Sequence, residues 1–116
     1  MSTSSTASVS THILDTSIGR PAPGVPVSLS ARGGAGWTEL GTSATDTDGR
    51  CKDLPALPEG TTHVRLGFDT EAYLSAHRDS GAFFPEVTVT FAVVPGEHYH
   101  VPLLLNPFGY SVYRGS

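Results

Sequence analysis

His98-Tyr99-His100-Val101-Pro102-Leu103-Leu104-Leu105 alternates two kinds of residue with a period of two. Side chains on a strand point to opposite faces in turn. Tyr99, Val101, Leu103 and Leu105 therefore share one face, which reads as core. His98, His100, Pro102 and Leu104 share the other. That second face carries two histidines yet ends in a leucine, so it reads as a face covered by a second subunit rather than one washed by solvent. Pro102 cannot donate to a ladder, which predicts an edge or a bulge nearby.

The same period recurs along the chain. Val25, Val27, Leu29 and Ala31 alternate with polar or proline positions, and Gly33-Gly34-Ala35-Gly36 turns the chain into a hairpin partner over Trp37–Ser43. Asp46-Thr47-Asp48-Gly49 reads as a tight turn, because Gly accepts the positive φ such turns require. Thr62, Val64, Leu66 and Phe68 mark a further strand, as do Val87, Val89, Phe91 and Val93, with Pro95-Gly96 closing a hairpin into His98. One short helix is predicted over Thr70–Arg78, capped by Asp69 or Thr70. Seven to eight short strands and one helix predict an all-β fold, a two-sheet β-sandwich. No strand-helix-strand repeat points to a nucleotide-binding α/β fold.

The 116 residues fit one domain with a single core. Residues 1–9 are Ser/Thr-rich and predicted to be a disordered tail, with the folded domain over 10–116. Thirteen glycines and nine prolines suit a chain of many turns. Net charge is −4 and the seven Lys and Arg are scattered, which argues against nucleic acid or an anionic membrane as partner. No apolar run is long enough to span a bilayer, and the N-terminus has no signal-peptide pattern, so a cytoplasmic location is expected. Cys51 is the only cysteine, which rules out an intrachain disulfide; a small buried residue is the expected role.

Chemistry concentrates on a few residues. In the first strand, Ile13 can face the core while His12 and Leu14 face away. Arg50 follows the Asp48-Gly49 turn, where a long cation can project over a sheet face. Three readings of these groups stand side by side. They can be surface residues that happen to alternate with core positions. His98 and His100 can be a zinc pair needing a third ligand such as His12. Or a histidine can act as general base, with Arg50 holding an anion or a developing oxyanion. No Gly-x-Ser-x-Gly elbow and no glycine-rich phosphate loop is present. Asp46, Asp48 and Asp53 suit a turn better than an acid/base pair. The closing segment carries Tyr110, Tyr113, Phe108 and Arg114, an aromatic and charged ending where frayed polar residues are usual.

Three segments give these residues a context: Ser10-Thr11-His12-Ile13-Leu14-Asp15-Thr16, Thr47-Asp48-Gly49-Arg50, and His98–Leu105 running into Tyr113-Arg114-Gly115-Ser116. Phe83-Phe84-Pro85-Glu86-Val87 adds to them. Together they resemble the 5-hydroxyisourate hydrolases, the enzymatic branch of the transthyretin-like family, collinearly over about Ser10–Ser116. The closing tetrapeptide is that branch's distinguishing mark. Asn106 and Val112 depart from the usual Ser and Thr, away from the His, Arg and Tyr positions.

The resemblance implies a transthyretin-like sandwich that hydrolyses 5-hydroxyisourate in urate degradation by opening a cyclic amide C–N bond. It implies catalytic His12, Arg50 and His100, with His12, Arg50, Tyr113, Arg114 and Ser116 binding substrate. It implies no metal and no organic cofactor. It also implies a homotetramer with sites between dimers. His63, His77 and His98 are expected to be bystanders, although His98 shares a face with His100. A transthyretin-like carrier of a small ligand is the alternative from the non-enzymatic branch.

Overall fold

The computed structural model of the chain describes residues 6–34, 36–76 and 81–115. Among them are nine strands and one helix: β1 (Ser8–Asp15), β2 (Arg20–Pro21), β3 (Pro26–Gly33), β4 (Gly36–Ala44), β5 (Arg50–Cys51), β6 (His63–Asp69), α1 (Glu71–Ala76), β7 (Glu86–Ala92), β8 (His98–Asn106) and β9 (Gly109–Val112). Six of the seven longer strands, β1, β3, β4, β6, β7 and β8, fall on segments that the alternation predicts; β9 is not among them, and β2 and β5 are two-residue pieces that no periodicity could announce. One sheet runs β2-β1-β8-β9, with β5 also paired to β1, and the second runs β4-β3-β6-β7.

The core lies between the sheets. Ile13, Leu103 and Leu105 meet Leu29, Val64 and Leu66, all with no exposed surface. Tyr99, Val101, Leu103 and Leu105 are all buried, as their alternation requires, and so is Cys51. Burial pushes the Cys51 thiol up, which keeps it protonated. Among the described residues no helix is long and apolar enough to cross a membrane.

Three sequence expectations change in detail. β1 begins at Ser8, and Ala7 and Val9 are 4% exposed, so the predicted tail over 1–9 gives way to structure ahead of Ser10. Val9 supplies the apolar side chain that docks this start. The helix covers Glu71–Ala76; residues 77 and 78 of the predicted span, His77 included, lie outside the described residues. Thr70 precedes it at the N-cap position, its carbonyl accepting Leu74 N–H at 3.0 Å while its hydroxyl donates to the Phe84 carbonyl at 2.6 Å.

Pro102 is the third change. β8 is an interior strand, parallel to β1 on one side and antiparallel to β9 on the other. The carbonyl of Leu105 accepts from Thr16 N–H on the β1 side, while that of His100 accepts from Gly115 N–H on the opposite side. Backbone groups alternate in direction along a strand, so Pro102 turns its nitrogen toward the chain end, away from β1. The pairings Leu103 with Val112 and His100 with Gly115 set Pro102 opposite Tyr113, where no strand pairing is formed. The missing donor therefore faces an open rung, and no buried ladder bond is lost.

Candidate active site

The site is built on the outer face of the first sheet. β1 pairs antiparallel with β5, placing His12 beside Arg50, and parallel with β8, placing His12 beside Pro102 and Ser10 beside His100. Register partners share a face, on strands about 4.8 Å apart. Arg50, His12, Pro102 and Tyr113 thus form one row across the sheet, and Ser10, His100 and Gly115 form the next.

The turn before Arg50 explains how that residue arrives. Asp46 accepts the N–H groups of Asp48 and Arg50 at 2.9 and 3.0 Å. The bond from Arg50 N–H is the main reason the Asp46 carboxyl titrates below its ordinary value. Gly49 has φ 77°, and a Cβ there would stand 2.6 Å from the Ile13 carbonyl oxygen. Only glycine lets this turn press against β1, where Ile13 N–H donates to the Gly49 carbonyl at 2.8 Å. The turn also orients His12, whose Nε2 donates to the Asp48 carbonyl at 3.0 Å. A carbonyl only accepts, so neutral His12 carries its proton on Nε2 and presents Nδ1 as a free base.

His100 is half-buried and oriented the other way round. Its Nδ1 lies 2.9 Å from Ser10 Oγ, which leaves Nε2 for the groove. Desolvation lowers the His100 pKa below the ordinary imidazole value, and the charges of His12, His98 and Arg50 lower it further. His100 is therefore held neutral, able to accept a proton. Arg50 is exposed and, among the described residues, makes no ion pair.

Two depressions of about 300 and 390 Å³ adjoin at His12 and His100. Arg50, Lys52, Ser10 and His98 line the first; Leu14, Pro102 and Tyr113 line the second. A larger cleft of about 560 Å³ on the second sheet, around Arg65 and Glu86, contains none of the histidines, so the chemistry lies in the smaller pair. Tyr113 is 54% exposed and free to meet a ligand. Arg114 borders the groove, but its guanidinium pairs with Glu97 at 2.9 Å and lies over the core-facing Tyr99 ring at 4.5 Å. The guanidinium is thus held within its own protomer, while the residue lines the second depression together with Tyr113. Ser116 lies outside the described residues.

His98, expected to be a bystander, shares the face of His100 and is hydrogen-bonded there. Its Nδ1 is 2.6 Å from Ser8 Oγ and its Nε2 2.9 Å from Ser10 Oγ. No sequence signal singled out Ser8, and Ser10 entered only as the first residue of the segment that resembles the family. His63 sits on the second sheet against Thr62, far from the groove in the fold. Among the described residues no three His, Cys, Asp or Glu side chains converge as a metal-ligand set.

A match to the HIUase/Transthyretin family covers residues 9–115. This chain belongs to that family. The 5-hydroxyisourate hydrolase of Salmonella dublin is 47% identical to it over 110 residues, 93% of this chain and 80% of that protein. Among solved structures of the family, the Klebsiella pneumoniae 5-hydroxyisourate hydrolase aligns with a TM-score of 0.78 at 38% identity, covering 93% of this chain and 98% of that one. Transthyretin from Sparus aurata aligns with a TM-score of 0.81 at 33% identity, covering 92% and 95%. The family's enzyme and its transthyretin thus fit the backbone about equally well, and the side chains of the groove must separate the two branches.

Proposed function

We propose that the protein hydrolyses 5-hydroxyisourate, opening its six-membered ring at an amide-like C–N bond. One observation carries this: Arg50, His12 and His100 stand on neighbouring strands of one sheet face, with Tyr113 beside them. The 47% identity to the Salmonella dublin hydrolase, and the 38% against 33% identity of the two structural alignments, support the enzymatic branch.

Water attacks the ring carbonyl carbon while a neutral imidazole takes its proton. His12 Nδ1 and His100 Nε2 are the free nitrogens, and each ring is oriented by a bond at its other nitrogen. Arg50 holds the oxyanion of the tetrahedral intermediate. The proton returns to the leaving ring nitrogen as the C–N bond breaks. Tyr113 forms the wall that holds the heterocycle, and Arg114 and Gly115 anchor that wall. None of these roles calls for a metal or organic cofactor, so activity should survive exhaustive chelation; loss on chelation and return with zinc would favour the zinc-pair reading.

The same face suggests a homotetramer. Leu14 and Leu104 are register partners on the outer face and are only half-buried in the protomer. A second dimer packed over them would cover both leucines and close the groove into a channel. Sedimentation should give a tetramer, and a stable monomer would contradict this assembly. The decisive assay adds the protein to freshly generated 5-hydroxyisourate and follows loss of its ultraviolet absorbance. Folded protein that does not exceed spontaneous decay overturns the enzymatic reading and favours a carrier.

A further inference from the structure

Parallel pairing of β1 with β8 puts Ser8 beside His98 and Ser10 beside His100. The side chains interleave into one file: Ser8 Oγ to His98 Nδ1 at 2.6 Å, His98 Nε2 to Ser10 Oγ at 2.9 Å, and Ser10 Oγ to His100 Nδ1 at 2.9 Å. The inner end is half-buried, Ser10 is 8% exposed, and Ser8 and His98 are exposed. Every group in the file can both donate and accept, and the file joins the groove to the protein surface.

We propose that Ser8, His98 and Ser10 form a proton relay ending on His100, with His98 and Ser10 acting through that histidine. The proposal rests on the hydrolase reading above. The file has two neutral arrangements. In one, Ser8 donates to His98 Nδ1, His98 Nε2–H donates to Ser10, and Ser10 donates to His100 Nδ1, so His100 carries its proton on Nε2. In the other every bond is reversed, and His100 Nε2 is a bare acceptor.

Each proton crossing the groove switches one arrangement to the other. When His100 Nε2 takes a proton from the attacking water, its Nδ1 proton passes to Ser10. The Ser10 proton passes to His98 Nε2, the His98 Nδ1 proton to Ser8, and one proton leaves Ser8 for solvent. Delivery to the leaving nitrogen runs the same transfers in reverse, with one proton entering at Ser8. No charge accumulates on the half-buried His100, which suits a ring whose surroundings disfavour its cationic form.

The relay is broken by Ser10→Ala and by His98→Phe. Each should lower kcat roughly tenfold with KM unchanged, less than the roughly 10²–10⁴-fold that a direct general base supplies. The double variant should lose no more than either single one, because one gap already opens the file. Free imidazole in the buffer should raise kcat of His98→Ala, which leaves the ring's space open, in proportion to its concentration and leave the unsubstituted protein unchanged. Ser10→Thr, which keeps the hydroxyl, should restore the rate.

A raised KM with kcat intact would make His98 a substrate contact and overturn the relay. So would additive losses without imidazole rescue. The file also has a readout independent of substrate. Imidazole 15N spectra should show the tautomer balance of both His98 and His100 changing in Ser10→Ala, and unchanged spectra would overturn the file itself. If the unsubstituted protein fails to accelerate substrate loss, the hydrolase reading falls, while the spectra still decide whether the file exists.

Discussion

Gly115 donates its backbone N–H to the carbonyl of His100 at 2.7 Å, and a Cβ on Gly115 would come within 2.9 Å of His100 Cδ2. Pro102 Cδ and Cγ would lie 3.3 Å from the same Cβ, so the crowding has no easy outlet. Gly115→Ala must therefore push back either the closing segment or the His100 ring. A displacement of about 1 Å at a reacting group costs on the order of 10²-fold. We expect kcat/KM to fall by about that factor with the melting temperature little changed; equal loss of both would mean Gly115 serves only packing.

His12 keeps its base nitrogen free because Nε2 is committed to the Asp48 carbonyl. A glutamine amide can reach that carbonyl but offers no basic nitrogen. His12→Gln should keep thermal stability near that of the unsubstituted protein and lower kcat by roughly 10²–10⁴-fold. Steady-state kinetics beside a melting curve checks both halves.

Burial, then the charges on His12, His98 and Arg50, lower the His100 pKa. The sign follows: His100 stays neutral as pH falls through the ordinary imidazole value of about 6.5, and protonates only below it. Its proton resonances should titrate with a midpoint under 6.5. Removing one cation in Arg50→Gln should move that midpoint upward. A midpoint at or above the ordinary value would mean that water reaches the ring freely.

Tyr73 donates to the buried Asp15 carboxylate at 2.7 Å, tying α1 to the end of β1. Burial and the neighbouring carboxylate both raise the phenol pKa, so it stays a donor throughout the accessible pH range. Tyr73→Phe should cost about 1.5–3 kcal/mol, as for a bond to a charged group. Urea unfolding measures this, while the activity of the folded fraction should remain unchanged because Tyr73 lines neither depression of the groove.

The sandwich was legible because burial acts at a period of two, a property of neighbouring residues. Val64, Leu66 and Phe68, or Tyr99, Val101 and Leu103, disclose their face without knowledge of a partner strand. The row of Arg50, His12 and Tyr113 was harder, since it depends on which strands adjoin; the resemblance to a known family supplied it. What escaped was set wholly by tertiary register. Ser8 and Ser10 matter only once β1 lies parallel to β8 without a slip, and a hydroxyl in a Ser/Thr-rich stretch carries no mark of that. Pro102 suggested an edge because composition cannot say which neighbour its nitrogen faces. Arg114 shares a motif with Tyr113, yet successive residues point opposite ways, and the guanidinium went to Glu97 and Tyr99.

The pairing of β1 with β8 also governs when this groove comes into being. Ser8 and His98, 90 residues apart in sequence, are its first rung. Closing so long a loop is entropically costly and is not rewarded until the last long strand docks. A growing chain that has released His12 and Arg50 from the ribosome holds half a site with nothing opposite it. Hydrolytic competence therefore depends on the native topology as a whole, and a chain arrested short of β8 lacks His100 and the strand that His12 must face.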